Sequence, residues 1–515
     1  MSDDKRRDGN AEDSERRSFT SRTPENTNLD AVTYRRGFVT RHQVTGWRFV
    51  MRRLASGVAL HDTRMLVDPL RTQTRGVVLG ALIVVTGLLG CLIFSWIRPG
   101  GTVGGSVILA DRDSSALYVQ VNGKVHPVLN LTSARLIAGA ADKPTAVRSA
   151  QLDELPRGAM IGIAGAPERM VQNASRDGDW TVCDGVGSSY PGVTVIAGAP
   201  AEGSERAAKL AADHAILVSS GGGAWLLWDG RRSPIDLADR AVTSALGLSS
   251  NVPAPRSISP GLFNAIPESQ PLRAPVIPEA GGPAGFPLPV PAPVGAVVVA
   301  YGTDGSVLHY AVLPDGLQPV SPVLAALLRN TNSYGLDQPP RLDPDEIANL
   351  PESRLLDTAS YPAQQLTLVD PASAPISCVR WTKAADASTS SLTLLSGASL
   401  PIADNVRPLD LTPGGATTAT RVALPVGTGY LTQTVGQEPA SPIAGSLFWI
   451  ADTGVRYGIE ADNAEELAKT VGALGLTPPP ADIPWSVLSL FAPGPALSKA
   501  DALTAYASNA GTETR

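Results

Sequence analysis

Hydrophobic positions form one long uninterrupted run near the N-terminal end of the chain. No charged side chain occurs from Gly76 to Ile97, and a helix of that length spans about 30 Å of hydrocarbon. A helix in a soluble core would carry a polar face at helical spacing, which this run lacks. The sequence that follows, "SWIRPGG", is a poor cleavage site for a signal peptide. The pattern predicts a single transmembrane helix over residues 76–97.

Basic residues are concentrated on one side of this predicted span. Residues 35–75 carry nine arginines and two aspartates, whereas Arg98 is the only basic residue on the other side before Arg112. The positive-inside rule therefore places the N-terminus in the cytoplasm and residues 101–515 in the periplasm. We expect a single-pass protein of the inner (plasma) membrane.

Small residues recur within the predicted span. Gly76, Gly80, Gly87 and Gly90 form notches at which another helix can approach closely. The alternative is that glycine is simply common in membrane helices. We treat these four residues as candidates for helix packing.

The segment before the span predicts two further regions. Residues 1–33 are polar and charged, which is typical of a disordered cytosolic tail. Residues 34–75 form a basic, cytosolic helical region in which five apolar residues recur at helical spacing, namely Val44, Trp47, Met51, Leu54 and Val58. Because one helix is too little to build a core alone, we interpret this stripe as a docking surface for a cytosolic partner. The alternative is that the helix lies on the inner face of the membrane.

The region after the span contains an internal repeat. The stretches "LYVQVNGKVHPVLNLTSARLIAG" and "LHYAVLPDGLQPVSPVLAALLRN" both predict two strands around a glycine turn, followed by a short helix. Two looser copies contain hairpin turns at Asp229-Gly230 and at Asp452 to Gly454. The copies define predicted repeats at about 106–170, 214–281, 294–362 and 445–505.

Two β-rich inserts, at 178–200 and 365–438, follow the first and third repeats. A proline-rich stretch at 253–293 predicts an extended connector between two halves of this region, 106–281 and 294–505. Each repeat is too small to bury a core alone, so we expect the copies to pack through the inserts. The predicted fold class is α+β: a short cytosolic amphipathic helix, one transmembrane helix, and a periplasmic domain of four small α/β repeats in two duplicated halves around a central β-rich region.

Three cysteines bear on the cellular compartment. Cys91 lies in the predicted span, whereas Cys183 and Cys378 lie in the predicted periplasmic domain, where disulfides persist. We predict a bond between Cys183 and Cys378 that joins the two inserts. Two unpaired buried thiols are the alternative.

Charge is divided unequally along the chain. Residues 1–75 carry 15 Lys+Arg and 10 Asp+Glu out of whole-chain totals of 42 and 48, which leaves 27 basic and 38 acidic residues for the rest. The larger part of the chain is therefore mildly acidic, which argues against nucleic acid as its partner.

No motif in the sequence predicts an active site. The only Gly-Lys pair, Gly123-Lys124, is followed by Val125 in a predicted hairpin, so it cannot form a phosphate-binding loop before a helix. The remaining candidates are isolated histidines without the spacing of metal ligands, namely His126, His214 and His309. We assign no catalytic, cofactor-binding or metal-ligating residue and expect no cofactor. The tryptophans are capable of binding glycan strands but are more typical of core residues in small repeats.

Several segments, in order, resemble one protein family. They are "RRGFVTRHQVTGWRFVMRR" (35–53), "HDTRMLVDPLRTQTR" (61–75), "PRGAMIGIAGAPERM" (156–170), "WTVCDG" (180–185) and "SLFWIADTGVRYGI" (446–459). This series resembles the EccB membrane component of type VII (ESX) secretion systems. Within that family the chain looks closest to the members from the third ESX system, which is linked to iron acquisition through siderophores.

The resemblance implies a subunit of an inner-membrane complex with EccC, EccD and EccE as partners. In such a complex EccC is the motor ATPase that drives folded helical substrate pairs. The resemblance also implies four repeats around a central β portion with one disulfide, and self-association through the periplasmic domain. Family members are labelled ATPases as well, but this sequence has no Walker-type residues to carry that role.

The sequence therefore favours a structural and assembly subunit of the secretion complex. One alternative is a secretion component that hydrolyses ATP itself. The other is an envelope anchor that binds peptidoglycan.

Overall fold

The computed structural model describes residues 40–61, 70–97, 104–187, 190–248, 252–411, 418–442 and 444–506. The chain divides into two compact units, Met1–Pro99 and Gly100–Arg515, which we call the helical unit and the large unit. The predicted disordered tail, residues 1–33, lies outside the described residues. The described part is a mixed α/β structure with one helix that is long and apolar enough to cross a membrane.

The described part of the helical unit consists of α1 (Arg41–Leu60) and α2 (Leu70–Ile97). α1 begins with a capping box, in which the Thr40 hydroxyl accepts a hydrogen bond from the Gln43 N–H while the Gln43 side chain accepts one from the Thr40 N–H. These bonds satisfy backbone donors that a helix start leaves free. α2 starts upstream of the predicted span and includes the candidate membrane span Thr74–Phe94, whose side chains are exposed.

The helices of the large unit are short. They are α3 (Leu131–Ala138), α4 (Ser149–Asp153), α5 (Arg240–Ala245), α6 (Pro260–Ala265), α7 (Pro322–Thr331), α8 (Pro344–Ala348), α9 (Ala464–Ala473), α10 (Trp485–Leu488) and α11 (Lys499–Ala502), with a 3-10 helix at Thr358–Ser360.

More residues of the large unit lie in strands than in helices. They are β1 (Ile108–Asp111), β2 (Leu117–Val121), β3 (Lys124–Pro127), β4 (Thr145–Val147), β5 (Met160–Ile161), β6 (Gly178–Gly185), β7 (Gly192–Ala197), β8 (Ala208–Lys209), β9 (His214–Ser220), β10 (Gly223–Trp228), β11 (Arg231–Ile235), β12 (Arg256–Ser257), β13 (Val297–Tyr301), β14 (Val307–Leu313), β15 (Gly316–Val320), β16 (Thr367–Leu368), β17 (Ile376–Lys383), β18 (Ser391–Gly397), β19 (Leu409–Asp410), β20 (Arg421–Ala423), β21 (Tyr430–Val435), β22 (Ala444–Ile450), β23 (Val455–Ile459), β24 (Ala481–Pro484), β25 (Ala492–Pro493) and β26 (Ala505–Tyr506).

Small sheets with the same order of elements recur along the large unit. Three antiparallel strands run in chain order in each of β1–β3, β9–β11, β13–β15 and β21–β23. A helix follows the third strand, and the chain then returns parallel to the first strand before a second short helix. At the hairpin turns Asn122-Gly123 and Asp229-Gly230 both residues have positive φ, the conformation that suits the twist of a two-residue hairpin.

These small sheets pack in pairs, and the pairing differs from the predicted halves. α3 packs against α9 and α11, and one core contains Val119 from the first sheet together with Trp449 from the last. α5 packs against α7, and a second core contains Leu226 and Leu324. The first sheet is thus covered by the last and the second by the third, a pairing that the sequence did not predict. The expected packing through the inserts also occurs, since Ile216 of the second sheet and Ile450 of the last share a core with Trp180 of the first insert. Each helix covers one face of its own sheet, and its remaining apolar side is buried by the helix of the paired sheet.

Six strands from the two inserts, together with β8, form one seven-stranded sheet with the strand order β19-β20-β7-β6-β17-β18-β8. The central strands β6 and β17 are antiparallel, and Trp180 lies opposite Trp381 across them. One face of the sheet contributes both tryptophans to a large apolar core. The other face contributes Cys183 and Cys378 to a smaller core. The two inserts share this sheet, because β6 and β7 of the first insert lie between strands of the second.

Two segments differ from their predicted roles. The proline-rich stretch at 253–293 is not an extended connector, because it contains β12 and α6 and buries Leu262 and Ile266. Apolar collapse onto the neighbouring sheets overrides the composition here. β21, which the sequence placed within the insert at 365–438, pairs instead with β22 of the last small sheet.

At Gly178, at the start of β6, the backbone lies close to Asp482 and to the Trp381 ring. A substitution at this glycine therefore tests the packing. A Cβ atom at this position would overlap the carbonyl oxygen of Asp482 and lie 2.7 Å from the Trp381 ring. We therefore expect Gly178→Ala to lower the free energy of unfolding by about 1–3 kcal/mol. Thermal unfolding of the full chain in detergent, followed by tryptophan fluorescence, measures the loss.

The matched control is Gly472→Ala in α9, where an added Cβ atom meets no atom within 4 Å. That substitution should raise the free energy of unfolding by roughly 0.5–1 kcal/mol, because alanine is the better helix former. Equal melting temperatures for Gly178→Ala and the unmodified chain would contradict the close approach.

Candidate functional site: docking surfaces and the disulfide-linked sheet

α1 presents an exposed apolar stripe. The helix buries none of its residues, and Trp47 is 64% exposed. The stripe residues follow one another at intervals of three and four, so they share one face; they are Val44, Trp47, Met51, Leu54 and Val58. α1 contains no acidic residue. A capped helix with an apolar face and basic neighbours has the form that docks into an apolar groove with an acidic rim.

α2 carries its four glycines on one side. At about 100° per residue, Gly76, Gly80, Gly87 and Gly90 fall within a sector of about 80°. A Cβ atom at any of them meets no atom within 4 Å, so a neighbouring helix backbone can come close there. Ile83 and Phe94 fall in the same sector and complete a row spaced by alternating fours and threes. This spacing is typical of the seam between two helices that cross with a left-handed twist.

A disulfide joins the two central strands of the seven-stranded sheet. Cys183 in β6 lies directly opposite Cys378 in β17, and the two sulfur atoms are bonded across a sequence separation of 195 residues. Both cysteines are fully buried, with Ile376 and Leu395 in the core around them. In the chain-entropy model, closing so long a loop stabilises the fold by about 5 kcal/mol. The bond therefore fixes the register of the two strands that hold the inserts together.

Two polar side chains near this bond, one buried and one partly buried, were not found from the sequence. The Asp184 carboxylate is 2% exposed and accepts a hydrogen bond from the Ser259 N–H at the start of α6, at 2.7 Å. The Arg256 guanidinium donates to the carbonyl oxygen of Ala374, just before β17, at 3.3 Å. Burial lowers the pKa of Arg256, and the nearby Asp184 charge opposes that shift. The pair thus ties β12 and α6 to both central strands.

The histidines that the sequence singled out are not brought together. His126 lies in β3, where its Nδ1 atom is 2.9 Å from the carbonyl oxygen of Ala159, and His214 begins β9 beside Asp213. His309 lies in β14, in a third sheet. Among the described residues, no group of three or more His, Cys, Asp or Glu side chains is placed to hold a metal ion.

Most tryptophans of the large unit are core residues. Trp180, Trp381 and Trp449 are at most 2% exposed. Trp485, at the start of α10, is 54% exposed and packs against Phe448. Among the described tryptophans of the large unit it is the exposed one, so their rings do not form a surface row.

Thiol labelling tests the disulfide. When the full chain is unfolded without reductant, we expect one cysteine to react, Cys91, because Cys183 and Cys378 are bonded to each other. After reduction, all three cysteines should react. The paired substitution Cys183→Ala with Cys378→Ala should unfold at a lower temperature, whereas Cys91→Ala should leave the melting temperature of the large unit unchanged. Labelling of Cys183 in the unreduced sample would contradict the pairing.

His309 provides a pH test of the β13–β15 sheet. Burial, and next the positive charge of Arg329, lower the pKa of His309 in the folded state. The unfolded state, with an ordinary histidine pKa of about 6.5, then binds more protons as the solution is acidified, so stability falls as the pH drops from above this value to below it. Melting temperatures measured between about pH 7.5 and 5.5 should therefore fall less for His309→Leu than for the unmodified chain. His61→Gln in the helical unit is the control, and identical slopes for His309→Leu and the unmodified chain would count against the lowered pKa.

Comparison with known proteins gives a consistent set of similarities. Residues 36–510 match the family model described as "Type VII secretion system ESX-1, transport TM domain B". The chain is 63% identical over 497 residues to "ESX-3 secretion system ATPase EccB3" of Mycolicibacterium smegmatis, which covers 96% of this chain and 95% of that protein. It is 62% identical over 510 residues to the protein of the same name in Mycobacterium tuberculosis (strain ATCC 25618 / H37Rv), covering 96% of this chain and 94% of that one.

Two solved structures are similar over most of the chain. One is a chain of an intact ESX-5 inner membrane complex, with a TM-score of 0.70 and 36% identity, covering 94% of this chain and 98% of that chain. The other is a chain of the EccB3 dimer from the ESX-3 core complex, with a TM-score of 0.69 and 56% identity, covering 78% and 100%. The match spans the candidate membrane helix and the large unit alike, and the chain therefore belongs to the EccB family of ESX type VII secretion systems.

Proposed function

We propose that this chain is a structural and assembly subunit of the inner-membrane core complex of an ESX type VII secretion system, of the ESX-3 kind. The observation that carries the proposal is the similarity, over 94% of the chain, to a subunit of an intact ESX-5 inner membrane complex. The identity of 63% to an ESX-3 protein supports the assignment to that kind of system. In this role the complex exports folded helical substrate pairs and serves iron acquisition.

The topology that fits this role has one membrane crossing. α2 spans the inner membrane, α1 lies in the cytoplasm and the large unit lies in the periplasm. The arginine excess of residues 35–75 supports this orientation. The buried disulfide supports it as well, because disulfides persist outside the reducing cytoplasm.

The partners we propose are EccC, EccD and EccE, together with a second copy of this chain. The apolar stripe of α1 docks on a cytosolic part of a partner, and the glycine side of α2 packs against a neighbouring membrane helix. The large unit mediates self-association, a proposal supported by the similarity to a protein solved as an EccB3 dimer.

The large unit, in this proposal, consists of four repeats around the seven-stranded sheet. The recurrence of three antiparallel strands, a helix, a parallel return and a second short helix supports that count. So does the pairing of the first copy with the last and of the second with the third. Such a rigid body suits a platform on which other subunits assemble.

The names of the relatives include the word ATPase, but we do not propose intrinsic ATP hydrolysis. Gly123 lies in the turn of the β2–β3 hairpin and Lys124 begins β3, so no helix start follows there to receive a phosphate. We propose instead that EccC supplies the energy of transport.

Substitutions on α1 test the assembly role. Replacing Trp47, Leu54 and Val58 by serine removes the apolar stripe while the helix caps remain, so the other membrane subunits should be lost when the complex is purified through this chain. Burying these three side chains at an interface is worth several kcal/mol, at roughly 1.5–3 kcal/mol each, so we expect at least a tenfold loss of co-purified subunits measured by quantitative mass spectrometry.

The control places serine at Phe49 and Leu60, which are exposed apolar residues of α1 outside the stripe. This variant should retain the complex. Full retention by the stripe variant, or equal loss in both variants, would overturn the docking role of the stripe.

A further inference from the structure

An acidic groove of about 540 Å³ lies in the large unit along one face of α9, with α11 on its other side. The segment before α9 contributes Glu460 and Asp462, and α9 itself contributes Glu466 and Thr470. The start of α11 completes the lining with Lys499 and Asp501. Four carboxylates and one ammonium group therefore line the groove.

Two of these carboxylates have no hydrogen-bond or ion-pair partner among the described residues. Glu466 is paired with Lys469 at 3.3 Å, and Asp501 accepts a hydrogen bond from the Ser498 hydroxyl at 2.7 Å, so both serve their own helices. The side chains of Glu460 and Asp462, by contrast, make no hydrogen bond or ion pair with any described residue. An ion pair and a hydrogen bond thus account for two of the four carboxylates, and the other two have no partner among the described residues.

The hydroxyl group of Thr470, which lines the same groove, also has no partner among the described residues. Thr470 is 8% exposed and lines the groove, yet its hydroxyl makes no hydrogen bond with a described residue. A threonine in a helix usually returns its hydroxyl to a carbonyl one turn back, as Thr331 of α7 does to Leu327 at 2.8 Å. The hydroxyl is open to the groove, so a ligand that enters there can form a hydrogen bond with it.

Apart from Ser498, the rest of the lining is apolar and comes from Ala461, Ala500 and Leu503. Lysine and arginine side chains combine a charged end with an apolar stem that lies along such surfaces. We propose that this groove binds a basic segment of a partner polypeptide. The charged end of a lysine or arginine pairs with Glu460 and Asp462, a donor of the segment bonds to the Thr470 hydroxyl, and the stem lies on Leu503. This proposal goes beyond the assembly role and does not depend on it.

Peptide binding to the full chain in detergent tests the proposal. The probe is a fluorescein-labelled, amidated tripeptide, Arg-Leu-Arg, whose binding is followed by fluorescence anisotropy; the charge-reversed probe is Glu-Leu-Glu. Neutralising both free carboxylates, with Glu460→Gln and Asp462→Asn together, should weaken binding of the basic probe by about tenfold or more. Thr470→Val, which changes no charge, should weaken it by roughly threefold through the lost hydrogen bond.

The matched control neutralises two exposed acidic residues elsewhere in the large unit, with Asp386→Asn and Glu438→Gln. It removes the same net charge, so it reports the general attraction of an acidic protein for a cation, and its affinity should stay within about twofold of the unmodified chain. If Thr470→Val lowers the melting temperature, Thr470→Ser should restore binding, because it restores the hydroxyl. Equal weakening by the two double variants, unchanged binding in Thr470→Val, or equal binding of Glu-Leu-Glu would each overturn the proposal.

Discussion

The pairing of β6 with β17 is the interaction on which the large unit depends. These two strands come from inserts that are far apart in the chain, yet they lie side by side in the centre of one sheet and carry the disulfide between Cys183 and Cys378. On the opposite face, Trp180 and Trp381 anchor the core that reaches α6 and α10. A shift of one residue in this pair would exchange the two faces, moving the cysteines into the tryptophan core, and the covalent bond prevents that shift.

The fold could be predicted in part, for physical reasons that differ between elements. The candidate membrane helix α2 was predictable because an uncharged run of that length is typical of a membrane-spanning helix. The hairpin at Asp229-Gly230 was predictable because the turn chemistry is local, and the bond between Cys183 and Cys378 because the third cysteine falls in the span. The pairing of the first sheet with the last was not predictable, since a pattern of apolar residues shows which face is buried but not which element covers it.

The candidate surfaces, like the fold, were predictable from the sequence only in part. The stripe of α1 and the glycines of α2 are periodic along one helix, so a single sequence displays them. The pair formed by Asp184 and Arg256 depends on β6, β12 and α6 meeting in space, and neither residue is unusual in its own segment. The acidic groove was missed for another reason: carboxylates at the start of a helix are usually caps, and only the structure separates those that cap from those that do not.

The contact between the first small sheet and the last affects how the protein is made. β1–β3 leave the ribosome long before β21–β23, with which they share a core. During that interval the apolar side of α3 has no cover, and a partly built domain with such non-local contacts folds slowly and is prone to aggregate. Burial of this side therefore has to wait until the last hairpins of the chain have been made.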